Sequence, residues 1–217
     1  MGRKDRIRWL ALTMAGLLFL SGCSGGEPEP TAQVGDLGGL VCMEYSRYTG
    51  SFPEDGSGRQ VEDVAAILVR NSSDEFLDYA TIEAQVGDQI GTFYVTGLPP
   101  GGTAWVLEKD ALTLTPDETF RAEPCEDYFY RSDAVIRTDD LSVSAEGNVV
   151  TVTNASDKTL ENVCIYYKTV HEDGNYFGGI TYLLSFDTMG PGQTLTKQSS
   201  HYGASSRIVR YSYQESG

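Results

Sequence analysis

The turn sequence Asn71-Ser72-Ser73-Asp74 returns 83 residues later as Asn154-Ala155-Ser156-Asp157, and the chain around it returns with it. Val69 matches Val152, Leu77 matches Leu160 and Ile82 matches Ile165 at the same offset. Cys42 with Cys125, and Tyr45 with Tyr128, also fall on it. Leu98-Pro99-Pro100-Gly101 then matches Met189-Gly190-Pro191-Gly192 at an offset of 91, so the second copy holds eight more residues between its middle strands. A unit this long, present twice, builds its own core in each copy rather than stacking as a solenoid. The copies are placed at 40–122 and 123–217.

Within each copy the apolar period is that of strands. Val64 to Val69 is apolar throughout, as expected of a strand covered on both faces, and Val149 to Val152 resembles it. Further strands are expected over 77–86, 160–170, 176–186, 193–198 and 206–213. Asn71 to Asp74 and Asn154 to Asp157 are turns in which Asn, Ser and Asp side chains bond the local backbone. His171-Glu172-Asp173-Gly174-Asn175 reads as a hairpin, because Asp-Gly takes up the tight turn. No stretch of ten or more residues after the N-terminal segment has a helical period. The expected fold class is all-β, two tandem β-sandwiches. Ala80, Ile82 and Ala84 with Val163, Ile165 and Tyr167 should face the cores; Thr81, Glu83, Cys164 and Tyr166 should face outwards.

The N-terminus places the chain. Arg3, Lys4, Arg6 and Arg8 precede an apolar run from Trp9 to Leu20, too short for a permanent span and right for an export signal. The run ends in Leu20-Ser21-Gly22-Cys23, which resembles the lipobox of bacterial lipoproteins. Small residues admit a peptidase and the Cys23 thiol takes a diacylglycerol, so 1–22 is expected to be removed and the chain held to the membrane, facing outside the cytoplasm. Residues 23–39 read as the lipidated cysteine and a flexible tether.

Removing 1–22 leaves 12 basic and 30 acidic residues. That charge excludes nucleic acid as a partner and repels anionic polymers. The chain has two His, and no acidic cluster has the order of a calcium loop, so neither a metal nor a cofactor is expected. With Cys23 committed to lipid, Cys42, Cys125 and Cys164 remain. Cys42 and Cys125 bracket the first copy, and a disulfide between them and free thiols are both open readings. Cys164 and His201 supply residue types for a nucleophilic site but no local signature, so an enzyme is not expected.

The segment Asn154-Ala155-Ser156-Asp157-Lys158-Thr159-Leu160-Glu161-Asn162-Val163 resembles the Asn-x-Ser, Leu-x-x-Val opening of FxLYD-like domains. Tyr166-Tyr167-Lys168, Gly178-Gly179-Ile180-Thr181-Tyr182 and Ser200-His201-Tyr202 are similar to segments of lipoproteins from Gram-positive gut bacteria. The likeness covers 141–213 well and 62–108 weakly; the first copy has Gly91-Thr92-Phe93-Tyr94-Val95 where the second has its Gly-Gly segment. The resemblance implies immunoglobulin-like sandwiches outside the cytoplasm, with no catalytic residues to carry over. The expected function is non-enzymatic binding or scaffolding of a partner protein, with carbohydrate or cell-wall binding as the alternative. Tyrosine crowds the second copy, and Tyr166, Tyr176, Phe177 and Tyr182 are the candidate surface for either.

Overall fold

The computed structural model describes residues 37–115, 118–123 and 127–216. Cys23, the export segment, most of the tether and Cys125 lie outside the described residues. Regular structure within them is entirely extended: β1 (Leu40–Ser51), β2 (Gln60–Asn71), β3 (Phe76–Val86), β4 (Gln89–Leu98), β5 (Thr103–Leu107), β6 (Phe120–Ala122), β7 (Asp127–Arg131), β8 (Leu141–Glu146), β9 (Val149–Asn154), β10 (Thr159–Val170), β11 (Tyr176–Phe186), β12 (Thr194–Gln198) and β13 (Ser206–Ser216). The all-β class is as expected.

Two layers pack in each copy. In the first, β1-β2-β5 faces β4-β3-β6, with β7 also on β3; in the second, β12-β9-β8 faces β11-β10-β13. Separate apolar clusters fill them, one around Ile67, Ile82, Phe93 and Val106, the other around Val152, Ile165, Tyr167 and Phe186. The continuous apolar run of β2 is explained by a third cluster. Ala65, Ile67 and Val69 face the first core, while Val64 and Ala66 pack outwards against Phe52, Val61 and Leu107. The expected alternation holds: Ala80, Ile82, Val163 and Ile165 are fully buried or nearly so, and Glu83 is exposed.

The repeated turn is repeated atom for atom. Asn71 Nδ2 donates to the carbonyls of Glu75 and Leu98 at 2.8 and 3.0 Å, and its Oδ1 accepts from Ser73 N. Asn154 Nδ2 donates to Lys158 and Met189 at 2.7 and 2.9 Å, and its Oδ1 accepts from Ser156 N. Gly101 N reaches Asn71 O and Gly192 N reaches Asn154 O, both at 2.9 Å. Each buried amide thus ties a turn to the backbone 27 or 35 residues further on.

Three boundaries differ from expectation. Leu37 is already in the first core, so the folded body begins inside the segment read as tether. The offset of 83 does not extend to the first strands: Leu40 pairs with Asn71 and Leu141 pairs with Asn154, making β8, not β7, the counterpart of β1. Tyr128 lies in β7, which pairs with β3, so the layers of the first copy continue past residue 123.

Candidate functional site at the seam between the copies

The eight extra residues lie in the β10–β11 hairpin. The β3–β4 hairpin closes on Gly87 and Asp88 between Val86 and Gln89, whereas the second copy runs on through 170–179. That extension reaches the first copy. Tyr176 and Phe177 pair in parallel with Ala104 and Trp105 of β5, joining β1-β2-β5 and β11-β10-β13 into one six-stranded sheet. The sheets joined are not counterparts, so the contact is head to tail.

Close approach requires glycine at two points. A Cβ on Gly179 would stand 1.7 Å from Tyr94 O, and one on Gly97 (φ +60°) would stand 2.3 Å from Thr181 Oγ1. The Gly-Gly pair found in the second copy alone is therefore a consequence of docking. Thr96 Oγ1 donates to Gly179 O at 2.8 Å and Thr181 Oγ1 to Thr96 O at 2.9 Å.

Two ionisable side chains close the seam. Lys168 is fully buried, and its Nζ donates to the carbonyls of Thr96, Gly179 and Ile180 at 3.0, 3.2 and 2.7 Å. Glu54, on the segment between β1 and β2, accepts from Leu107 N at 2.8 Å and from Gly179 N at 2.8 and 3.0 Å. The Gly179 peptide thus lies between ammonium and carboxylate. Burial pushes Lys168 down to about 7, opposed by the charge of Glu54. Burial also raises Glu54, opposed by its backbone donors and by Lys168.

On the outer face of the joined sheet the hairpin tip encloses a recess of about 220 Å³. Ala66 and Leu107 form its floor, and Tyr48, Trp105, Phe177 and His171 its walls. Phe177 lies 5.2 Å from the Tyr48 ring and 5.5 Å from His171. Trp105 Nε1 donates to Asp173 Oδ2 at 2.9 Å, and His171 Nδ1 is 3.4 Å from Asp173 Oδ1. Burial opposes the Asp173 charge, but the bonds from Asn175 and Trp105 and the neighbouring His171 prevail and hold the carboxyl at about 2. Arg47 stands across the rim, 3.7 Å from Asp63.

The four candidate residues do not share one surface. Phe177 is in the recess; Tyr176, on the opposite parity, packs against the first core. Tyr182 packs on the second core, stacked between Tyr167 and His201 at 5.4 and 4.7 Å. Tyr166 faces outwards as expected, but towards the first copy: Arg210 of β13 sits 4.1 Å over its ring and 5.6 Å from Phe76, with Asp78 at 3.7 Å, and the three residues line a recess of about 290 Å³ with Tyr166. Asp78 is also held by Arg131 at 2.7 Å, and Arg210 Nε is buried without a partner. Tyr166 is a junction residue. Tyr48 and Trp105 went unmarked by sequence reasoning, although Trp105 is the one Trp after residue 9.

Burial raises both described thiols. Cys42 is a free, buried thiol donating to Glu44 O at 3.7 Å, and burial pushes it up to about 11. Cys164, also free, is raised by burial and lies on the face of β10 opposite the one that carries His201 against Tyr182. Among the described residues no three of His, Cys, Asp and Glu converge to hold a metal ion, and no helix is long and apolar enough to cross a membrane. No family model matches the chain, and no curated protein is similar to it.

Proposed function

We propose that the chain is a lipid-anchored recognition protein, held at the membrane by Cys23 outside the cytoplasm, that binds a partner protein and performs no chemistry of its own. The observation that carries this reading is the seam recess. It has apolar ring walls, a floor of small and aliphatic side chains, and opposite charges from Arg47 and Asp173 at its rim. A recess of that kind accepts one anchoring side chain of a partner, and binding energy concentrates at such anchors. The raised thiols count against a nucleophile. The matching Asn71 and Asn154 networks support reading the two copies as one repeated unit.

The test is photo-crosslinking in intact cells from a reactive residue placed at Ser46, on the recess. A discrete adduct that disappears in Phe177→Ala, and does not form from a reactive residue at the distant Glu146, is expected. Adducts formed equally well from both positions would contradict the assignment, as would turnover of a small molecule by the purified chain that a point change abolishes.

A further inference from the structure

A second surface lies on the opposite layer of the first copy, away from the recess. Alternation turns Tyr79, Thr81 and Glu83 outwards on β3, Tyr94 on β4, and Asp127 and Phe129 on β7. Tyr79 is directly opposite Phe129, their rings 6.3 Å apart and within 16° of parallel. Tyr94 is opposite Thr81, one step diagonally from Tyr79. The three rings are 42%, 46% and 47% exposed for Tyr79, Phe129 and Tyr94. The Arg131 guanidinium, anchored to Asp78, lies 5.5 Å from the Phe129 ring and supports it from beside the row. β-propensity explains a tyrosine in a strand, but not three rings aligned across three strands on a solvent face.

We propose that Tyr79, Tyr94 and Phe129 form a platform that binds a neutral polysaccharide. The axial C–H bonds of a pyranose give the sugar an apolar face that stacks on an aromatic ring, while its hydroxyls project sideways. Here the rings are bordered by Thr81, Glu83 and Asp127, and carboxylates accept several hydrogen bonds each. The ligand is neutral because a chain of net charge −15 repels anionic polymers. A protein partner is the weaker match. A stable interface hides about 800 Å² on each side around an apolar centre, and the residues next to the rings are Thr81, Glu83, Thr92 and Asp127, with Ile90 the one exposed aliphatic side chain farther along that face of β4.

Affinity electrophoresis of the purified chain through gels containing galactomannan, xyloglucan or mixed-linkage glucan tests the proposal, with polygalacturonate as the anionic comparison. Retardation by at least one neutral polymer and none by polygalacturonate is expected. Tyr79→Ala and Phe129→Ala should each weaken it about tenfold, while Tyr79→Phe, which keeps the ring, should retain it. Melting temperatures of all variants should stay near that of the parent, since these rings are exposed. The proposal falls if no neutral polymer retards the parent chain, or if Tyr79→Ala and Phe129→Ala leave retardation intact. It also falls if Phe177→Ala at the recess abolishes retardation in their place. If the platform variants instead lose the adduct captured from Ser46, the surface belongs to the protein partner. Failure of retardation by itself leaves the recess reading to its own crosslinking test.

Discussion

Asn154 is buried to 0% exposure and each of its side-chain atoms has a backbone partner. Asn154→Ala removes the hydrogen bonds of a buried amide, although the Met189 carbonyl keeps Leu160 N and the Lys158 carbonyl keeps Ser156 Oγ, and should cost about 1–3 kcal/mol in all. Urea unfolding of the variant measures it, and Asn71→Ala should behave alike. Lys168 makes the sharper statement. Three carbonyls match the three N–H bonds of an ammonium, yet burial draws the group to about 7. Between pH 7 and the ordinary value of 10.5 the unfolded chain holds a proton that the folded chain has released. Stability from this group therefore rises with pH across that window, by at most about 1.4 kcal/mol per pH unit, and is lost on descending to 7. Glu54, raised by burial, acts in the other direction above 4.5. Melting temperature against pH should show the alkaline rise in the parent chain and lose it in Lys168→Met. That variant should also be destabilised, because it takes the Lys168 donor from the carbonyls of Thr96, Gly179 and Ile180 and the neighbouring positive charge from Glu54.

At the scale of the element, the extended hairpin does what its sequence does not announce. Gly179→Ala places a methyl group against Tyr94 O and should push β11 off β5. Amide exchange at Tyr176 and Phe177 should then quicken while β9, in the second core, keeps its protection; unchanged exchange at the tip would contradict the packing described. The strands themselves were legible, because Ile82 and Ile165 keep a period of two and Asp173-Gly174 marks its own turn. The joining of β5 to β11 was not. Parallel strands brought together by tertiary docking share no turn that could betray them, and Tyr166 and Tyr176 carry the same β-propensity whether they face solvent, a neighbour or a core. The aromatic row fell in the first copy rather than the second for the same reason. Tyr79, Tyr94 and Phe129 are far apart in sequence and meet only through strand register. The Cys42–Tyr45 match to Cys125–Tyr128 followed residue identity at a fixed offset, which strand pairing does not respect once β6 and β7 intervene.

At the scale of the molecule, the proposed anchor at Cys23 would hold a body that presents a recess at the junction of its halves and an aromatic face on one of them. Mass spectrometry of the mature protein should find an N-terminal peptide beginning at Cys23 and carrying diacylglycerol; an unmodified or uncleaved terminus would remove the anchor from the account. The recess exists only if the two copies are one body, joined by Lys168, Thr181 and Arg210 and above all by the ten residues 170–179. Replacing them with the Gly-Asp turn of the first copy and following denaturant unfolding by Trp105 fluorescence and far-ultraviolet circular dichroism tests this most directly. The parent chain should unfold with both signals coincident, and the shortened chain should split into two transitions with Trp105 reporting the first copy alone. Separate transitions in the parent, or coincident ones in the shortened chain, would contradict it.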